Sequence, residues 1–85
     1  MKYLVITTRT PQFDPSCLDA HYTFLHRLCA EGKMEQYGAF GDKSGGAYVL
    51  TVGSLEEARA IVDTDPVFTT KSSTLTLHEW HAKTY

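Results

Sequence analysis

Residues 34–57 read Met34-Glu35-Gln36-Tyr37-Gly38-Ala39-Phe40, Gly41-Asp42-Lys43-Ser44-Gly45-Gly46, Ala47-Tyr48-Val49-Leu50-Thr51-Val52 and Gly53-Ser54-Leu55-Glu56-Glu57. The first and third blocks are strand-like, and the glycines, Asp42 and Ser44 between them supply turn chemistry. Residues 34–40 and 47–52 therefore form a β-hairpin around 41–46. A helix starts at once after it. Ser54 is its N-cap, Glu57 three residues later completes a capping box, and Leu55, Ala58, Ile61 and Val62 recur at the spacing of one helix face.

Upstream, residues 2–8 are rich in β-branched and aromatic types. Tyr3 and Val5 alternate with Leu4 and Ile6, so this strand is apolar on both sides and belongs at the centre of a sheet. Pro11, Asp14 and Pro15 interrupt it. Asp14 reads as an N-cap and Pro15 as the first position of a helix that runs to about Glu31 and stops at Gly32. Downstream, Thr64-Asp65-Pro66-Val67-Phe68 turns the chain, and residues 73–81 alternate, with Leu75 and Leu77 opposite Thr74, Thr76, His78 and Trp80. The resulting order, βαββαβ, is the ferredoxin-like α+β pattern, an antiparallel sheet with two helices on one face. The other face has no cover within the chain. Because strands one and three are apolar on both sides, a second copy is expected there, giving a homodimer of the dimeric α/β-barrel type.

The 85 residues read as one domain, 1–85, with no repeat, linker or low-complexity tract. The formal charge of −2 and the lack of a Lys/Arg cluster offer no footprint for nucleic acid. No segment reaches the roughly 20 apolar residues that span a bilayer, and residues 1–6 are too short for a signal-peptide core, so a cytoplasmic protein without a membrane partner is expected. Cys17 and Cys29, if carried on one helix, stand about 18 Å apart at about 1.5 Å per residue, beyond the ~7 Å reach of a disulfide. Both are expected as free thiols, with Cys29 packed as a small apolar side chain.

The chemistry centres on His21. Leu18, His21, Tyr22, Leu25, Leu28 and Cys29 share one face of the first helix, and an imidazole on such a stripe needs a partner. Asp65 is the carboxylate in a distinctive setting. One of its oxygens can cap the turn at Pro66 while the other accepts from His21, leaving the second ring nitrogen to take or return a proton. The plain alternative is a core histidine satisfied by a backbone carbonyl beside an aspartate that only caps.

Metal ligation fits poorly. His21 and His26 diverge by roughly 140° around a helix, and His78 and His81 point to opposite faces of a strand. Residues 41–46 follow no nucleotide-binding fingerprint, so no cofactor is expected. Arg9, at the end of the central strand, is either an exposed surface charge or the receiver of a phenolate or carboxylate. Ser72 and Ser73 either lend a hydroxyl to the pocket or start the last strand, and Tyr37 and Trp80 either fill the core or stack on a small-molecule substrate.

His21, Leu25, Leu28, Glu31-Gly32, Gly38, Ser54-Leu55-Glu56-Glu57-Ala58 and Asp65-Pro66, in this order and spacing, resemble the YCII-related (YciI-like) family over nearly the whole chain. The resemblance implies the ferredoxin-like dimer and matches the family's shared histidine and aspartate to His21 and Asp65. Leu18 stands where many members carry arginine, Ala39 where proline often follows the glycine, and Lys71 at a common glycine position. The resemblance further implies a cofactor-independent lyase that removes HCl from a chlorinated hydroxyquinol to give a hydroxyquinone. Alternatives are an isomerase or cofactor-free oxygenase on a related ring or lactone, and a non-catalytic binding or interaction module.

Overall fold

Alternation along Lys2–Arg9 (β1) turns Tyr3, Val5 and Thr7 to one face, where all three are buried, and Leu4 and Ile6 to the other, where they are half-covered. The computed structural model describes residues 1–84. After β1 the Asp14 carboxylate accepts from the Ser16 N–H at 2.9 Å and caps a 3-10 turn at Pro15–Cys17, and only then does helix α1 run, Leu18–Ala30. The expected cap and proline are in place, but the first turn is wound tighter than an α-helix. Gly32 takes φ +74° just beyond α1, a left-handed conformation that suits glycine.

The hairpin joins β2 (Met34–Ala39) to β3 (Gly45–Thr51), so β3 begins two residues earlier than its side chains suggest. Gly45 and Gly46 pair with Thr8 and Thr7 of β1 rather than lying in the turn. A Cβ on Gly45 would stand 1.9 Å from the Thr7 carbonyl oxygen, and one on Gly46 would stand 2.4 Å from that of Gly38. Only glycine allows the backbones this approach. Helix α2 (Leu55–Val62) is capped by the Ser54 hydroxyl, which accepts from the Glu57 N–H at 3.1 Å. Ala58 and Val62 are buried under it, while Leu55, expected on the inner face, is exposed at the first turn. A single-turn helix α3 (Pro66–Thr69) then leads to β4 (Ser73–Trp80), whose alternation matches the expected one.

The sheet is fully antiparallel in the order β2-β3-β1-β4, with β1 and β3 central as their two-sided apolar character requires. The core lies between one sheet face and the helices: Tyr3, Val5, Tyr48 and Leu50 pack against Phe24, Leu25, Leu28, Ala58 and Val62. The α1 stripe is rotated from expectation. Phe24 is buried, whereas Tyr22 and Cys29 are exposed and Cys17 is buried. Both cysteines are free. Leu4, Ile6, Ala47, Val49 and Trp80 alternate onto the face opposite the helices. Among the described residues no helix is long and apolar enough to cross a membrane.

Candidate active site

Two chain turns bring the site together. Past α2, the Thr64 and Asp65 amides bond back to the carbonyls of Ile61 and Val62, and Asp65 then leaves the helix in extended conformation at the N-cap of α3. Pro66 suits this point because the first helical position needs no N–H donor. The Asp65 side chain is thereby directed inward, against the first turn of α1, where His21 stands.

His21 Nδ1 donates to Asp65 Oδ1 at 2.7 Å. The same oxygen accepts from the Val67 N–H at 3.0 Å, and Oδ2 accepts from the Tyr48 hydroxyl at 2.9 Å. The division of labour thus differs from the expected one: a single oxygen serves both helix cap and histidine, and the other is free for a third donor. Asp65 is fully buried, whereas 12% of the His21 side chain is reachable. A buried carboxylate needs full pairing, and these three donors supply it. Because a carboxylate only accepts, the neutral imidazole keeps its proton on Nδ1 and leaves the Nε2 lone pair unengaged.

His21 lines a cleft closed on one side by the start of α1 and by Val67 of α3, and on the other by the ends of β1 and β2 and the starts of β3 and β4. Arg9, Tyr37 and Ser73, the three candidate binding residues, all line it too. Arg9 is half-buried rather than a free surface charge, and its guanidinium lies 4.1 Å from the centre of the Phe13 ring. Tyr37 is an exposed wall of the cleft, not core, and its hydroxyl meets His26 Nε2 at 2.9 Å. Trp80 is likewise exposed, on the opposite sheet face. Ser72 is structural: its hydroxyl accepts from the Asp14 N–H at 3.2 Å and bonds Thr70 Oγ1 at 3.0 Å. Among the described residues no three His, Cys, Asp or Glu side chains converge on a point where a metal could be held.

Tyr48 is the member of the site that the sequence reading missed. Burial, together with the neighbouring Asp65 charge and the hydrogen bond to it, raises its pKa well above the usual phenol value. It therefore acts as a fixed donor to Asp65. The available signal was a tyrosine inside the apolar run of 47–52, since a buried phenol must find a hydrogen-bond partner. What the arrangement can do is hold one imidazole in one tautomer on the wall of a small cleft, with its second ring nitrogen left to exchange a proton.

Residues 1–80 match the YCII-related domain family. The Bacillus subtilis (strain 168) protein YjpA, itself uncharacterised, is 46% identical over 81 residues, which is 95% of each chain. Two solved structures share the fold at 18% identity. One is 5-chloro-2-hydroxyhydroquinone dehydrochlorinase (TftG) from Burkholderia phenoliruptrix AC1100 in complex with 2,5-dihydroxybenzoquinone, with a TM-score of 0.78 over 98% of this chain and 96% of that one. The other is muconolactone isomerase, with a TM-score of 0.76 over 98% and 91%. With the family matched across all three α-helices and all four strands, and a relative nearly half identical over almost its full length, the chain belongs to the YCII-related family.

Proposed function

We propose that this protein is a small cofactor-independent enzyme that moves protons on a small ring substrate, and that the reaction is the dehydrochlorination of a chlorinated hydroxyhydroquinone. The observation that carries this reading is the 2.7 Å contact between His21 and a fully buried Asp65, with the His21 side chain lining a cleft. A carboxylate so placed orients the imidazole and stabilises its charged form. Likeness to TftG supports the choice of substrate at the level of fold.

In the proposed reaction His21 Nε2 takes a proton from a ring hydroxyl, and the electron pair moves into the ring so that the chlorine-bearing carbon gains a proton. The second hydroxyl then loses its proton as the carbon–chlorine bond breaks, and chloride leaves with the bonding pair. The products are a hydroxybenzoquinone and HCl, so no electron acceptor enters the balance. The two free cysteines fit a reducing cytoplasm as the site of this activity.

The test is to incubate the protein with 5-chloro-2-hydroxyhydroquinone under anaerobic conditions and follow chloride release and quinone absorbance above the spontaneous rate. Catalysed release that His21→Gln abolishes is expected. Release unaffected by that substitution rejects the mechanism. Turnover of a lactone without chloride release would move the same dyad to an isomerase, and turnover that consumes oxygen would make the protein an oxygenase. Dialysis against chelator is expected to leave the activity intact.

A further inference from the structure

Arg9 ends β1 directly opposite Ser73, the first residue of β4, and both line the cleft that holds His21. The guanidinium is held over the Phe13 ring. Although Arg9 is half-buried, no carboxylate among the described residues comes within ion-pair distance of it. A rigid fork of N–H donors, partly out of water and without an acceptor, is matched to an anion that comes from outside the chain. Ser73 is in a similar state: the residue is buried, yet its hydroxyl has no partner among the described residues. No side-chain nitrogen or oxygen there is both occluded and unpaired, so this hydroxyl opens onto the cleft.

The remaining walls define the shape of that anion. Phe13, Tyr22 and Tyr37 contribute ring faces or edges, and no Asp or Glu lines the cleft among the described residues. An anion entering here meets one full positive charge on the cleft wall, while the nearest carboxylate, Asp65, stands behind His21 and Tyr48 with both oxygens paired.

We infer that Arg9 and Ser73 form an oxyanion-binding subsite for a planar, singly charged ring compound, a carboxylate or a phenolate, held beside His21. The inference rests on the proton-transfer reading only in placing the reacting part of that compound toward His21. The subsite itself stands on Arg9, Ser73 and the lack of an acid on the cleft wall or in ion-pair reach of Arg9 among the described residues. It acts in substrate positioning: a guanidinium anchored on an aromatic ring orients the anion by a charge-assisted hydrogen bond, and orientation is what a minimal dyad lacks.

Binding of non-reacting probes tests it independently of turnover. The full chain is titrated with benzoate, with its neutral isostere benzamide, and with 4-nitrophenolate, by calorimetry and by backbone amide shifts. At least one anion is expected to bind about ten-fold or more tightly than benzamide, with amide shifts at Arg9 and Ser73. The ranking of benzoate against nitrophenolate distinguishes the two oxyanion sources. Arg9→Gln is expected to remove that preference, Arg9→Lys to keep part of it, and His21→Gln to leave it standing. Should Arg9→Gln fail to fold, salt at about 0.5 M is expected to weaken the anion and spare benzamide in the unmodified protein. Equal binding of benzamide and both anions, an unchanged preference in Arg9→Gln, or no binding of any probe overturns the subsite. None of these outcomes bears on chloride release, so the two readings fail separately.

Discussion

Three donors from three places in the chain converge on the Asp65 carboxylate: His21 from α1, Tyr48 from β3 and the Val67 amide from α3. Removing the phenol alone, in Tyr48→Phe, leaves Oδ2 unpaired in a fully buried group and is expected to cost about 1–3 kcal/mol in urea denaturation. The pH dependence carries a sign. Because the folded pKa of Tyr48 is raised, the native protein keeps a proton that the unfolded chain releases near its ordinary pKa of about 10. The stability from this group is whole below that pH and is lost as pH climbs above it. Tyr48→Phe should therefore flatten the fall in stability on the alkaline side. The slope that remains belongs in part to Tyr3, whose pKa is also raised, by burial and by Glu79. For activity, His21→Ala and Asp65→Asn are each expected to lower kcat/KM by roughly 10²–10⁴, and the double variant by little more than the worse single one. Strictly additive losses would assign the two residues separate tasks.

The elements depend on a few positions where backbone conformation and side chain must agree. Gly45 takes φ +156° against the Thr7 carbonyl, where any Cβ collides with backbone. Gly45→Ala should therefore lose about 1–3 kcal/mol from strain, with a similar amount from the forced shift of β1. Lys71 presents the opposite case. It takes φ +60° just past α3, where a side chain is strained, and its amide closes the turn on the Phe68 carbonyl at 3.0 Å. Lys71→Gly relieves a left-handed penalty of about 1–2 kcal/mol at an entropic cost of roughly 0.5–1 kcal/mol. A net gain between zero and about 1.5 kcal/mol, seen as a higher denaturation midpoint with an unchanged slope, is the expected result. A loss would mean that the Lys71 side chain itself stabilises the fold.

At the scale of the molecule, one sheet face makes the core and the other is left with Leu4, Ile6, Ala47, Val49 and Trp80. A chain of 85 residues buries a modest fraction of its surface alone, and a contiguous apolar face on it invites a partner. We propose that the occupant is a second copy of this chain, the face pairing with itself about a two-fold axis. Light scattering behind size exclusion is expected to give twice the monomer mass at micromolar concentration. Ile6→Lys, which puts a charge at the centre of the face, should yield a monomer with a lower Tm. A wild-type monomer at that concentration rejects the pairing.

The sequence by itself determined the order of elements, the central place of β1, the caps at Asp14, Ser54 and Asp65, and the His21–Asp65 pair. Caps and periodicity act over a few residues, so the residues that cause them lie next to the effect. The pair was legible because an imidazole on a helix face needs a partner, Asp65 stands in a distinctive turn, and the resemblance to the YCII-related family matches both residues. The residues alone left a core histidine and a capping aspartate as the plainer reading. Tertiary structure alone decided which oxygen of Asp65 serves which donor, that Tyr48 is the third, and that Arg9 faces Ser73 without an acid between them. It also exposed Leu55, Cys29 and Tyr37, and drew Gly45 and Gly46 out of the turn into β3. These outcomes depend on strand register and on how α1 is rotated over the sheet. Both are set by packing among residues tens of positions apart, where no local pattern records the result.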